Sequence, residues 1–430
     1  MLNALGKVEN AEAGVSLQQI NVLDELHRLA QRQFEWQRGF LLLSNLYRSS
    51  FIYGGSLARS EFERIRQMSL DTFVQACFSV GASLTTRPFL DKETSFEIIG
   101  LSREAIAQTW QIISLPIEQA RSQAIELRSK GGQIAYRPSL LRKFPCIAFG
   151  SSHNIVIAPL PTLVMLRSTA GIFYDLVTAH TATRNEIGGR FEIYVADLLR
   201  TIFSHNDIRR SFKYNSKNGE VDSPDISVVQ NNKIAAIVEC KALKMTFEAR
   251  FGDYPLRDAK SRYDELVRGV IQIWKYRAHV RLGIAPVVAF SENAIGLIVT
   301  LDSWLMMSKS MQQQIVKQAR LESVEKFPMI NEVDRISVSF CPIDDLEILC
   351  ARATPSSLID TFVQAASEQL IGWMLWNVHD EIAPGPHTNK PYPFRDRVAE
   401  VVPWWGQMAS RMGRNPVTFD LENPQASSDL

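Results

Sequence analysis

Cysteine is scarce and scattered in this 430-residue sequence, and no C-x-x-C occurs. The five positions are Cys77, Cys146, Cys240, Cys341 and Cys350. An odd, dispersed set excludes a disulfide scaffold and a zinc ribbon, and a reducing cytoplasm is the expected location. The seven histidines are dispersed too, with no H-x-x-x-H or H-E-x-x-H, which argues against a zinc hydrolase. There is no G-x-x-x-x-G-K-S/T phosphate loop and no G-x-S-x-G elbow, so neither a nucleotide-driven motor nor an esterase of that kind is expected. Charge of one sign is also missing. Lys plus Arg number 47 and Asp plus Glu 46, which excludes a polybasic chain but not a local basic groove. The longest apolar region, Ile284–Met307, is broken by Ser291, Glu292, Asn293 and Asp302. A spanning helix needs about 20 mostly apolar residues, so buried strands are expected there and no membrane span. The stretch MLNALGKVENAEAG has no apolar h-region, so no secretory signal is expected.

What is present divides into three parts. Residues 1–132 read as a helical domain. Leu17, Ile20, Leu23, Leu26 and Leu29 form a stripe, Gly54-Gly55 gives a break, Ser102 is placed as a helix cap, and Pro116 restarts a helix. Lys130-Gly131-Gly132 marks the first boundary. Nothing there clusters titratable groups, so a partner- or trigger-binding role is expected. Residues 133–350 read as α/β. They begin with a hairpin, 146–149 with 154–158, followed by a helix near 163–176. An amphipathic helix over 185–203 is expected, with Asn185 as its cap. A polar, turn-rich patch follows, then strands over 225–229 and 233–240 joined by a Gln230-Asn231-Asn232 turn. A long helix runs from 258 to 280, and further strands are expected at 285–290, 294–301 and 336–341. Residues 351–430 read as a mixed, largely helical extension. Its Trp373, Trp376, Trp404 and Trp405 are expected as core or partner-contact aromatics.

One constellation carries chemistry. Asp225 follows Pro224 at the start of one strand, and Glu239 ends the next. Lys241 lies two residues beyond Glu239, so both point to one face while Cys240 points to the other. If the two strands pair, two carboxylates and an ammonium meet at adjacent strand ends. Carboxylates held close repel unless a cation joins them, and Mg²⁺ or Mn²⁺ suits hard oxygen ligands. A lysine beside such a metal orients or deprotonates an attacking water, or stabilises charge on a phosphate. Asp222 competes with Asp225, which is preferred because the apolar strand begins straight after it. Each residue alone has a bland reading as a turn, a cap or a solvated face.

Pro224-Asp225 followed by Glu239-Cys240-Lys241 resembles the PD-(D/E)XK nuclease superfamily. Glu192 in GGRFEIYVADLL matches the helical glutamate that often completes the metal site. Gln272-x-x-x-Tyr276 resembles the Q-x-x-x-Y motif of the RecB-like branch. The resemblance covers about residues 185–300 and leaves the rest unexplained. It implies an α/β restriction-endonuclease-like core, an αβββαβ mixed sheet, here with a helical N-terminal domain and an α+β C-terminal extension. It also implies Mg²⁺-dependent hydrolysis of DNA phosphodiesters. Asp225 and Glu239 would bind metal, with Glu192 and the Cys240 carbonyl as further ligands. Lys241 would position the nucleophile, with Gln272 and Tyr276 supporting it. One departure is the long segment Leu243–Leu256 between E-x-K and the next helix.

Residues 200–281 hold sixteen Lys or Arg against ten Asp or Glu, so a local basic surface is expected. Arg268, Lys275, Lys244, Lys213 and Arg210 are the candidate DNA-backbone contacts. Restriction, antiviral defence or mobile-element processing is the role expected by analogy. A homodimer or a partner protein on the helical domain is compatible with it. The competing expectations are a catalytically silent nuclease-fold scaffold and an RNA-cleaving enzyme of the same fold.

Overall fold

The computed structural model describes residues 43–129, 139–216, 219–244, 260–287, 289–302, 309–385 and 390–411. It has mixed α/β content, in two compact units. Its described residues divide as 43–190 with 394–411, and 191–393. The expected stripe at 16–29 and the Lys130-Gly131-Gly132 boundary lie outside the described residues. The division falls elsewhere than at 132 and 350, for a reason visible in the strand pairing below.

The first unit opens with helices α1 (Leu43–Tyr53), α2 (Ser56–Arg66) and α3 (Leu70–Thr86). The break at Gly54-Gly55 stands as read. The Ser69 hydroxyl caps α3 by accepting the Thr72 N–H at 3.1 Å. Strand β1 (Leu90–Asp91) precedes α4 (Arg103–Ile113), and Ser102 caps α4 as expected, through the Ala105 N–H at 3.2 Å. Then come β2 (Ser114–Pro116), α5 (Ile117–Ser129) and the hairpin β3 (Cys146–Phe149) and β4 (Ile155–Ile157). The hairpin is where it was expected, but it does not start an α/β domain. It joins the helical region in a four-stranded sheet of order β1-β4-β3-β2. This pairing overrides the boundary at 132, because ladder hydrogen bonds tie residues 146–157 to 90–91 and 114–116.

The helix expected near 163–176 is two short ones, α6 (Thr162–Arg167) and α7 (Ile172–Leu176). Arg167 and Asp175 bridge them in a buried pair at 2.7 Å. Helix α8 (Thr181–Leu199) begins four residues before Asn185, so Asn185 is inside it and is not its cap.

The second unit is built on a five-stranded sheet of order β11-β10-β9-β8-β5. The turn-rich patch is more regular than expected. It contains edge strand β5 (Ile208–Arg210) and a separate hairpin of β6 (Lys213–Ser216) with β7 (Gly219–Asp222). Only Tyr214 of β6 is buried, so alternation there was weak, and the polar residues hid the strands. Strands β8 (Ile226–Gln230) and β9 (Lys233–Lys241) pair antiparallel, as read. The turn works because Asn231 and Asn232 take φ of 48° and 61°, a region asparagine tolerates. Residues 234–240 of β9 are buried throughout, as its unbroken apolar run demands.

Helix α9 (Lys260–Arg281) crosses from β9 to the parallel strand β10 (Phe290–Thr300). Of the two strands expected at 285–290 and 294–301, the second falls in β10, but of the first only Phe290 does, and residues 285–287 and 289 form no strand. Its register with β9 shifts between Phe290 and Ile295, where the polar Ser291-Glu292-Asn293 interrupts the apolar pattern. Helix α10 (Lys309–Lys326) packs on α9. Strand β11 (Val338–Pro342) extends the sheet beside β10 and enters α11 (Ile343–Arg352), as expected of 336–346. Helix α12 (Pro355–Ala365) packs on β10 and β11, the Ser339 hydroxyl donating to the Phe362 carbonyl at 2.6 Å. Helix α13 (Leu375–Ile382) packs on α12.

The tail is therefore not one extension. Residues 355–382 belong with the second unit. Helices α14 (Val398–Val401) and α15 (Trp404–Arg411) belong with the first. There Trp404 and Trp405 pack on Phe78, as core aromatics. All five cysteines are buried and free. No described helix is long and apolar enough to cross a membrane.

Candidate active site

The site belongs wholly to the second unit, at the ends of β8 and β9. The Ile226–Val238 pairing leaves Asp225 and Glu239 facing each other one step further out. Asp225 is fixed twice. Its carbonyl accepts the Ser211 N–H at 2.8 Å, and its Oδ2 accepts the Cys240 N–H at 2.7 Å. Asp222 lies on the exposed hairpin and reaches the site only through its charge, so Asp225 is the member of the pair placed at the strand end.

Glu239 is almost fully buried. The Lys241 ammonium donates to its Oε2 at 3.0 Å and to Gln272 Oε1 at 3.1 Å. Residues from β9 and α9 thus meet as E-x-K and the first member of Q-x-x-x-Y. The second member does not join them. Tyr276 is buried one turn on, against the rings of Tyr214 and Phe290. An i, i+4 step places it on the Gln272 face but 6 Å or so further along the axis. Tyr276 is thus a packing residue at this end of α9.

The electrostatics follow from burial. Glu239 is pushed up to about 7, first by desolvation, with Lys241 opposing and Asp225 adding to the rise. Glu192 on α8 is half-buried and is also raised to about 7, by desolvation and then by Asp225, with Arg210 and Lys241 opposing. Burial raises Asp225 against the pull of the Cys240 N–H and Lys241. Burial acts downward on Lys241, but Glu239 and Asp225 outweigh it and raise its pKa, so the ammonium keeps its proton. Three carboxylates therefore share one field with a single buried ammonium. The Cys240 thiol is buried and pushed far up, so this residue meets the site only through its backbone.

Among the described residues no three His, Cys, Asp or Glu side chains form a ready-made metal cage. Mg²⁺ asks for less, since it keeps several waters and commonly uses one or two carboxylates with substrate phosphates. The Asp225–Glu239 pair, both members raised by burial and Glu239 further by the Asp225 charge, fits that requirement.

The expected phosphate contacts separate on inspection. Arg268 is exposed on α9, and Lys275 lines the same groove two turns on. Arg210 is exposed on β5, and its charge acts on Glu192. Lys213 is exposed but paired with Glu220 at 2.7 Å on the hairpin. Lys244 is buried, which removes it from the expected surface contacts. The long linker from 245 to 259 lies outside the described residues.

Two residues escaped the sequence reading. Gly269 lies under Lys241, where a Cβ would stand 3.1 Å from Lys241 Cε and 3.2 Å from Ile298 Cδ1. A glycine three residues before Gln272 in a helical pattern was the available signal. Phe327, just after α10, lines the groove beside Lys241 and Gln272 and had no such signal. Comparisons with family models, with curated proteins and with solved structures found no match.

Proposed function

We propose that the chain is a Mg²⁺-dependent deoxyribonuclease of the PD-(D/E)XK type, with a restriction-endonuclease-like core in its second unit. The observation that carries this reading is Lys241 held between Glu239 and Gln272 beside Asp225. Two further carboxylates with raised proton affinity, Asp225 and Glu192, share the field of that ammonium, and a divalent ion would relieve their repulsion. Asp225 and Glu239 would hold the ion, with Glu192 acting through water and the Cys240 carbonyl as a further ligand. When bound, Mg²⁺ supplies a Lewis acid for the phosphoryl oxygen and acidifies a water.

The chain's own groups do the rest. Lys241, held by Glu239 and Gln272, would align the attacking water and stabilise charge on the phosphate. Gln272 fixes the lysine. The Cys240 N–H orients Asp225. Arg210, Arg268 and Lys275 hold the flanking backbone. A role in restriction, antiviral defence or mobile-element processing is the analogy the fold offers.

The test is cleavage of supercoiled plasmid in Mg²⁺, Mn²⁺ or EDTA, beside Asp225→Ala and Lys241→Ala. Metal-dependent nicking by the wild type, lost in both variants, is expected. Equal nicking by all three proteins, or none by the wild type on plasmid, linear and single-stranded DNA, overturns the proposal.

A further inference from the structure

A groove of about 640 Å³ runs from Lys241 and Gln272 along α9 to the end of α10. It is lined by five cations, Lys241, Lys260, Arg268, Lys275 and Lys326, and by three acids, Asp264, Glu265 and Glu322. The acids are engaged. Asp264 accepts from Lys260 at 2.9 Å, Glu322 from Lys326 at 2.8 Å, and Glu265 faces Arg262 and Arg268 at 3.9 and 3.8 Å. Two cations keep capacity for an anion. Arg268 is largely exposed and, among the described residues, has only that long contact. Among the described residues Lys275 makes no ion pair, and it rests over the Phe327 ring, 5.5 Å from its centroid. The remaining walls, Ile271 and Phe327, are apolar. Cations alternate with one aromatic face, starting at the lysine that would meet the scissile phosphate.

That combination selects among nucleic-acid forms. A duplex turns its phosphates outward and stacks its bases inside, so it meets cations but offers no base face to a protein ring. An unpaired strand offers both, and its bases stack on aromatic side chains. The volume matches a small-ligand pocket, which ranges over roughly 300–1,000 Å³, and so suits an unpaired nucleotide or two.

Resting on the nuclease reading, we infer that this groove is a single-strand subsite. An unpaired nucleotide beside the scissile phosphate stacks its base on Phe327, and its phosphates lie against Arg268 and Lys275. Lys275 leaves the ring as the base arrives. The preferred substrate is then DNA with an unpaired stretch, whether single-stranded, frayed, flapped or opened by negative supercoiling, over relaxed duplex.

The experiment measures binding of a fluorescein-labelled 12-mer by anisotropy, with Ca²⁺ replacing Mg²⁺ so the strand stays intact. The full chain is used, with an ordinary strand and one whose central nucleotides are abasic. Phe327→Leu keeps the apolar packing while removing the ring face, and its melting temperature is measured alongside. The wild type is expected to bind the ordinary strand about ten-fold more tightly than the abasic one, within the range measured for base–aromatic stacking. In Phe327→Leu that preference is expected to vanish while affinity for the abasic strand persists. Arg268→Ala and Lys275→Ala are expected to weaken both strands alike.

An unchanged preference in a folded Phe327→Leu overturns the inference, as does wild-type indifference to the missing bases. The nuclease reading fails separately. A wild type that shows the preference but never cuts the strand in Mg²⁺ keeps the subsite and loses the nuclease, and cutting without any preference does the reverse.

Discussion

The Cε of Lys241 passes over Gly269, 3.1 Å from where a Cβ would stand. The lysine passes close to α9 on its way to Glu239 and Gln272, and the glycine leaves it room there. Two effects compete in Gly269→Ala. Alanine gains about 1 kcal/mol of helix propensity. Against this, the methyl crowds Lys241 and the Ile298 Cδ1 at 3.2 Å. Both neighbours are side-chain ends that can give by a few tenths of an ångström, so stability should change little. The ammonium cannot move so freely, because two hydrogen bonds of 3.0 and 3.1 Å define its place. Cleavage should fall roughly ten- to a hundred-fold, the scale on which small misplacements act. Thermal melting and plasmid cleavage on the same sample separate the two effects, and an unchanged rate would remove Gly269 from the account of the site.

Mg²⁺ should stabilise the folded chain, and Asp225 should be why. The ion binds the folded site and not the unfolded chain, so at a hundred times its dissociation constant it adds about 2.7 kcal/mol. Asp225→Asn keeps the shape and still accepts the Cys240 N–H, but loses the charge. Melting in EDTA and in Mg²⁺ should therefore differ for the wild type and hardly at all for Asp225→Asn. An equal Mg²⁺ shift in both proteins would place the ion elsewhere.

Much of the site was legible in the sequence because it is local. E-x-K needs only strand alternation, and Asp225 is tied to it by a two-residue turn whose asparagines can be read directly. Those signals survive without tertiary context. Tyr276 misled because helical spacing puts it on the Gln272 face, while only the sheet decides how deep along the axis the site lies. Lys244 misled for the same reason, since charge in a sequence carries no burial. The groove was invisible because its far wall comes from α10 and Phe327, some fifty residues beyond Gln272. The domain boundary failed where a loop-like Gly-Gly outweighed strand pairing that no local pattern records. The strands at 208–222 were lost to their polar composition.

His279 should make the second unit sensitive to acid. Its Nδ1 shares a hydrogen bond of 2.8 Å with the Tyr214 hydroxyl. Burial pushes that phenol up to about 12, so Tyr214 stays protonated and the imidazole is the natural acceptor. Burial and then the Lys275 charge hold the His279 pKa below its ordinary 6.5. The unfolded chain therefore takes up this proton at a higher pH than the folded one. By linkage, the contribution of His279 to stability is complete above pH 6.5 and is lost as pH falls through the folded value. His279→Gln retains an acceptor for Tyr214 and cannot titrate. Denaturant unfolding from pH 8 to pH 5 should show the wild type losing stability faster than His279→Gln below pH 6.5. Parallel curves would refute the assignment.

Asp175 should be the most costly single charge to remove from the first unit. It is buried, and Arg167 binds it through two guanidinium nitrogens at 2.7 and 2.9 Å. Arg66 adds a third contact from its Nε at 2.9 Å. Asp175→Asn keeps the volume but leaves two arginines facing each other, one of them buried, with no anion between them. Breaking a buried pair on one side costs about 3–5 kcal/mol, because the surviving charge stays desolvated. In a unit of this size that corresponds to a fall in melting temperature on the order of 10 °C. Surface pairs such as Lys260 with Asp264 give the control, since an exposed i, i+4 pair contributes about 0.3–0.5 kcal/mol. Calorimetry of Asp175→Asn beside Asp264→Asn should show a large loss in the first and almost none in the second. Cleavage by the Asp175 variant, assayed well below its melting temperature, should match the wild type, because none of these three residues belongs to the site. A matching loss of activity in the folded variant would show instead that the first unit takes part in the chemistry.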